Sequence, residues 1–338
     1  MGSMSFGPQT LADTLSETVG YKSGLTLSIN EMCDHLCGTY FSDLLRASEE
    51  GAVRLRSEEY EHLFYRLLHQ IGYTADEYDG DITGTGLFHR YRDNTLEEWV
   101  GVAELFAEIM PKLVEETVRT KQKSIDPRPF LQTCFNNYGH IGLEIAVNRL
   151  KAYSQGLYLH PGIKLRYIEW KSEVALTSLF SGTSDEPEVG RFIDQRFIDY
   201  LSANQECLSK VHWRKFEELT GEFFHREGYQ VELGPGSNDD GVDVRVWKPG
   251  QKIKENPHIL IQCKRQKAKV EKVIIKGLYA DVTYEGADYG LLATTSELSP
   301  GARATIVARG YPIREVERSG LESWLIRLRT PGTGIVRA

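Results

Sequence analysis

Asp240-Gly241-Val242-Asp243-Val244 and, further along, Ile261-Gln262-Cys263-Lys264-Arg265 are the two stretches on which the reading of this chain turns. Both are apolar runs interrupted by charged or amide side chains, and β-branched residues favour the extended backbone. On a strand, residues two apart face the same way, so Gln262 and Lys264 share a face and Cys263 takes the other. A Pro/Gly/Lys loop separates strands predicted over 242–247 and 258–264, as in a hairpin. Antiparallel pairing then brings Asp243 within ligand range of the Gln262/Lys264 face. Phosphodiester hydrolysis needs a hard cation held by oxygen atoms, a place for the attacking water, and a fixed positive charge. Asp243, the Gln262 amide and Lys264 meet that need, and the Cys263 backbone carbonyl is a further oxygen donor. Taken alone the pattern is weak, because any sizeable chain can contain it, and Asp240 and Asp243 also suit turn positions that cap a hairpin.

The flanking sequence supplies a fold. A helix is predicted over 212–226, closed by Gly228 at the position that favours a left-handed residue. A strand over 229–233 follows, then the turn from Gly234 to Gly241, and the two strands above. A helix over 270–284, an apolar strand over 289–295, and a helix over 299–309 come next, the last with Ser299 as N-cap and Pro300 at its first position. A strand over 311–316 and a helix over 319–328 finish the pattern. The order α-β-β-β-α-β-α-β-α implies a mixed sheet with helices on both faces.

Six runs carry a resemblance. Phe216-Glu217-Glu218-Leu219, Gly228-Tyr229-Gln230-Val231, the two stretches quoted first, Ala293-Thr294-Thr295-Ser296 and Pro300-Gly301-Ala302-Arg303 match in order and spacing. Together they resemble the Mrr-like restriction endonucleases, a branch of the PD-(D/E)XK nucleases with a D–QxK site. The resemblance covers only the part of the chain from about 210 to 329. It implies an α/β restriction-endonuclease-like domain, hydrolysis of DNA with Mg²⁺ (Mn²⁺ substituting), and a role in prokaryotic defence against foreign or modified DNA. It also implies a site made of Asp243, Gln262, Lys264 and a glutamate of the first helix, Glu217, with Glu218 the second claimant. Asp243, Gln262 and the Cys263 carbonyl are the expected metal ligands. Ser237-Asn238-Asp239 stands where the family favours small residues, which leaves Asp240 without a clear role. Gln262 offers a neutral oxygen where a carboxylate is commoner, so Glu217 or substrate phosphate must help hold the ion. Glu217 also suits a solvated helix face. The cluster Lys264-Arg265-Gln266-Lys267-Ala268-Lys269 reads as a phosphate-contacting edge through Arg265, Lys267 and Lys269, or as a solvated charge run.

The first half reads as a mainly α-helical domain over 1–185, with helices predicted over 60–68, 96–118 (broken or kinked at Pro111) and 141–153. Ser181 to Glu188 reads as a linker, and a helix over 191–208 leads into a nuclease domain over 191–338. The predicted consequence is a protease-sensitive segment between Ser181 and Val189 that releases a stable C-terminal fragment. The 338 residues suit two domains, and the net charge of −8 hides an asymmetry. Residues 205–338 carry 21 basic and 18 acidic side chains, while residues 1–204 carry 19 and 30. Polyanion contact therefore belongs to the C-terminal part. The acidic part is left to sensing, targeting, oligomerisation as a homo-oligomer, or docking of a partner protein. No run approaches the ~20 apolar residues of a membrane span, and the N-terminus lacks the features of a secretory signal. Gly2-Ser3 before a second Met reads as a cloning remnant. Five scattered cysteines suit a reducing, cytoplasmic setting. Cys33 and Cys37 hint at zinc without a second ligand pair, and a helical Cys face is the plainer reading. Gly80 to Gly86 lacks the ending of a phosphate loop and reads as a loop. The rival functions are a nuclease effector gated by a partner or small signal at the first domain, a structure-specific repair nuclease, and a catalytically silent DNA-binding module.

Overall fold

A computed structural model describes residues 3–75, 77, 84–122, 124–182, 186–236 and 241–329. The chain begins with β1 (Ser3–Phe6), α1 (Thr10–Ser23), β2 (Leu25–Thr26), α2 (Ile29–His35), α3 (Tyr40–Glu50), β3 (Val53–Arg56) and α4 (Ser57–Gln70). Three helices follow: α5 (Gly84–Tyr91), α6 (Leu96–Arg119) and α7 (Arg128–Leu159). The chain returns through β4 (Val174–Ala175), α8 (Leu176–Leu179), α9 (Gln195–Ala203) and a 3₁₀ turn, Gln205–Lys210. The C-terminal part is α10 (Trp213–Arg226), β5 (Gln230–Leu233), β6 (Val244–Trp247), β7 (Ile259–Lys264), α11 (Lys272–Glu285), β8 (Tyr289–Thr294), α12 (Pro300–Arg309), β9 (Ile313–Val316) and α13 (Arg318–Leu328).

Its sheet runs β5-β6-β7-β8-β9. The first three strands pair antiparallel and the last three parallel, so the sheet is mixed, as the element order implies. Alternation along β7 sorts its side chains between two cores. Ile259 and Ile261 join Phe216 and Leu219 of α10 and Leu321 and Leu325 of α13, whereas Leu260 joins Ile275 and Leu278 of α11 and Ala302 of α12. Apolar side chains on both sides of a strand require helices on both sheet faces.

The helical half is two units. Residues of α5, α6 and α7 close a core of their own around Trp99, Val102, Phe130 and Ile145. The earlier helices do not. Leu11, Leu45, Phe64 and Leu68 belong to the same apolar cluster as α9, α10 and one face of the large sheet. Residues 181–190 therefore lie between segments that share a core, which differs from the expected linker between two independent ones. The reason is visible at α9, where Phe197 and Tyr200 pack edge-on against Phe180. Arg196 also reaches back to the carbonyls of Gly24 and Ser172 at 3.1 and 2.7 Å. Residues 183–185 of that segment lie outside the described residues.

Smaller differences have local causes. The helix expected over 191–208 is only α9, because Asp194 caps its start and Asn204 leaves helical geometry. Helix α6 runs through Pro111, since packing of Trp99, Val102 and Met110 on α7 outweighs one missing N–H. Helix α7 is longer than expected, with Gly139 at φ 61° and ψ −148° interrupting it. Gly84 opens α5, so the end of the glycine-rich stretch is helical rather than loop, while positions 78–83 lie outside the described residues. Ser3 and Met4, read as part of a remnant and its neighbour, pair with Arg56 and Leu55 in a short hairpin-like ladder.

Candidate active site

The site is built where β6 and β7 approach the middle of α10. Val244 pairs with Ile261, so continuing the antiparallel register sets Asp243 opposite Gln262. The Asp243 N–H donates to the Ile261 carbonyl at 2.9 Å, which fixes the turn into the strand. Gly241 carries φ +88° just before it, a conformation that L side chains avoid, and a Cβ there would meet Gln262 Nε2 at 2.9 Å. Asp240 and the rest of the 237–240 turn lie outside the described residues. Asp243 is 7 % exposed and its Oδ2 accepts the Cys263 N–H at 2.6 Å. This bond turns the carboxylate across the end of β7.

Glu217 comes from α10 and is only 4 % exposed, so the solvated-face alternative is set aside. Its carboxyl lies within hydrogen-bonding contact of Asp243. Burial first, and the neighbouring Asp243 charge second, push the Glu217 carboxyl up to about 7, while Arg214 pulls the other way. Arg214 Nη1 donates to Glu217 Oε2 at 2.9 Å and to the Gly234 carbonyl at 2.8 Å. The arginine thus ties the helix to the end of β5. Glu218 is engaged elsewhere, with Lys215 Nζ at 2.9 Å.

Gln262 is 7 % exposed, and its Oε1 is buried without a hydrogen-bond partner. A lone buried acceptor costs roughly 1–3 kcal/mol unless something occupies it. Gln262 lies opposite Asp243 in the strand register, so two carboxyls and this amide are oxygen donors of the kind that fit a divalent cation. Among the described residues no three His, Cys, Asp or Glu side chains gather as a metal cluster. Lys264, two residues on, is half-buried at the end of β7, and its ammonium enters no ion pair among the described residues. Its carbonyl accepts Thr294 Oγ1 at 2.8 Å and Thr295 N at 3.2 Å, which pins the strand end to β8. The Cys263 side chain turns away toward Thr220 Oγ1 at 3.5 Å, and burial raises its thiol well above the usual range. Only its backbone faces the site.

The basic edge is less uniform. Arg265 is exposed and donates to the Ser209 carbonyl at 3.2 Å. Lys267 is exposed, and Lys269 pairs with Glu297 at 3.0 Å on the surface. Arg214 is the site residue that sequence reasoning missed. Its signal was the i,i+3 spacing to Glu217, which is too common on helices to stand out. The rejected zinc reading finds no support, since Cys33 is buried against Ser42 and Cys37 is exposed.

The C-terminal part has the fold of a restriction-endonuclease-like domain, a mixed sheet flanked by helices. Residues 208–325 match the family Mrr_cat, described as restriction endonuclease. An uncharacterized protein, y4cE, of Sinorhizobium fredii (strain NBRC 101917 / NGR234) is 27 % identical over 95 residues, or 28 % of this chain and 24 % of that protein. A structure described as the MspJI restriction endonuclease in complex with a 27-mer oligonucleotide aligns over 57 % of this chain and 41 % of its own, at 17 % identity and a TM-score of 0.30. The chain thus spans about a quarter of the curated relative's length and two fifths of that structure's.

Proposed function

We propose that the protein is a divalent-metal-dependent DNA endonuclease that hydrolyses phosphodiester bonds, with Mg²⁺ as its ion and Mn²⁺ able to replace it. One observation carries this reading: Glu217 and Asp243 share a buried contact beside the unpartnered Gln262 oxygen, with Lys264 two residues along the same strand. Two buried acids forced together and an empty acceptor make poor sense as scaffolding, whereas together they hold a hard cation. Glu217, Asp243 and Gln262 would hold it, with the Cys263 carbonyl as a further donor. When bound, such an ion polarises the scissile phosphate and offsets its developing charge. Lys264 orients the attacking water and meets the charge on the phosphate from the protein's side. Arg214 holds Glu217 in place, and Arg265, Lys267 and Lys269 contact the flanking phosphates.

In biological terms we assign the protein to prokaryotic defence in the cytoplasm. All five cysteines are free, and no helix among the described residues is long and apolar enough to cross a membrane. Division into a sensing or assembly part over 1–185 and a nuclease part over 191–338 is retained as a division of labour. A second reading, a gated effector, is favoured by one feature. Arg329, just after the last nuclease helix, donates to the carbonyls of Gly72 and Thr74 in the first helical unit, at 3.1 and 2.6 Å. A partner protein or small ligand on the acidic half, or self-assembly there, would act through such contacts. The test is plasmid cleavage by the purified full chain with Mg²⁺, Mn²⁺ or EDTA, beside Lys264→Ala. Cutting that needs the ion and Lys264 is expected. Cutting that persists in EDTA rejects the mechanism.

A further inference from the structure

Trp213 leaves a large indole 42 % exposed at the first turn of α10. It stands four residues before Glu217, on the same side of the helix. Its six-membered ring lies against Gly236, where a Cβ would come within 3.2 Å of Trp213 Cη2 and 3.4 Å of Arg214 Nη1. Indole and guanidinium therefore flank one glycine, and the same guanidinium nitrogen holds Glu217. Basic residues flank Trp213 in the chain, Arg214 directly after it. Lys210 is exposed just before it in the chain, and Arg265, next to Lys264, is bonded to Ser209. An aromatic side chain set among basic ones beside a phosphate-cleaving site is the layout of a single-strand platform, in which cations follow the backbone and rings stack on bases. Inside a paired duplex each base face is already covered by its neighbours. The indole can stack only on a base that has left the helix.

We propose that Trp213 is a base-stacking substrate residue, and that the site takes DNA whose base beside the scissile phosphate is unstacked in preference to fully paired duplex. This inference rests on the nuclease reading above. The test uses the full chain with Mn²⁺ and two matched oligonucleotide duplexes, one fully paired and one with a short single-stranded gap. Cleavage is compared for wild type, Trp213→Phe and Trp213→Ala. Stacking is worth roughly 1–3 kcal/mol per base, so wild type should favour the gapped substrate in kcat/KM by about five-fold or more. Trp213→Ala should bring the two substrates close to parity, and Trp213→Phe should keep most of the preference. Equal cutting of both by wild type, or a preference intact in Trp213→Ala, overturns the proposal. A second arm reads binding in EDTA, where the gapped oligonucleotide should quench an indole emission present in wild type and missing from Trp213→Phe. If wild type cuts neither DNA, the nuclease reading fails. Stacking then stands on the quench alone, and it falls too if no Trp213-dependent quench is seen.

Discussion

Asp243 and Glu217 present the clearest conflict between stability and function at the scale of single residues. Two buried carboxyls in contact repel when both are ionised, and nothing in the fold requires the second charge. Asp243→Asn keeps an oxygen for the Cys263 N–H and removes one of the charges. In chelator it should melt higher than wild type, by roughly 1 kcal/mol or more of stability, while cleavage is lost. A lower melting point with normal structure elsewhere would mark Asp243 as a structural turn residue. Gln262→Glu runs the other way, because it adds a third acid where an unpaired amide oxygen now sits. The variant should unfold at lower temperature in EDTA, yet bind Mn²⁺ more tightly by calorimetric titration and regain stability as the ion is added. Unchanged Mn²⁺ affinity would remove Gln262 from the ligand set. Asp243, Gln262 and Lys264 were legible because strand alternation is a strict two-residue rule. Arg214 was not, because its second partner, the Gly234 carbonyl, is twenty residues away in sequence and meets it only in the folded chain.

At the scale of elements, α10 holds the lesson about what sequence conceals. Its pattern is that of an amphipathic helix, and its predicted bounds of 212–226 agree with Trp213–Arg226 capped by His212. A solvated polar face was one reading of Glu217, the other being a site residue. Instead Lys215, Glu217, Glu218 and Glu222 are all buried, because the sheet, α13 and the segment at Arg191 and Phe192 pack around the helix. Each buried charge then needs a named partner, and Glu222 has three. It accepts the N–H groups of Arg191 and Phe192, each at 2.8 Å, and pairs with Arg226 Nε at 2.7 Å. Glu222→Ala leaves two backbone donors and a guanidinium uncompensated, and should cost roughly 3 kcal/mol by urea unfolding. Glu222→Gln keeps an acceptor and should cost clearly less. Equal losses in the two variants would mean packing volume, not the hydrogen bonds, holds this junction. The mixed sheet with helices on both faces was legible for the opposite reason. Each strand is bounded by its own turn signals, and apolar side chains on both faces of β7 and β8 leave no choice but helices above and below.

For the whole molecule, composition assigns polyanion contact to the C-terminal half but says nothing of the way the halves are joined. A polar stretch such as Ser181 to Glu188 suggests separable domains, yet burial is decided by what the flanking helices meet. Lys22 of α1 illustrates the joining. It is 0 % exposed and donates to the carbonyls of Ile163 and Leu165, in the segment returning from α7, at 2.8 and 2.9 Å. Burial, with a smaller push from Arg166, lowers its ammonium to about 8 from the usual 10.5. Between those values the unfolded chain binds more protons than the folded one, so this group makes stability rise as pH rises through the window. The gain approaches roughly 3 kcal/mol at the top, from about 1.4 kcal/mol per pH unit. Urea unfolding of wild type and Lys22→Met across pH 8 to 10.5 should show a steeper rise in wild type, and parallel curves would reject it. The shared core makes a last prediction. The apolar cluster contains Leu11, Phe64 and Leu68 from before residues 181–190, and Phe197, Phe216 and Trp324 from after them. Protease should still cut within that polar segment, but the two pieces should elute together from a sizing column in native buffer and part only in denaturant. The C-terminal piece alone would expose Phe197, Ile198 and Leu201 of α9, each now 0 % exposed, and should bind a hydrophobic dye and aggregate. A monomeric, dye-silent C-terminal fragment would show that α9 and the sheet close their core unaided, and that the first helices are a removable cover.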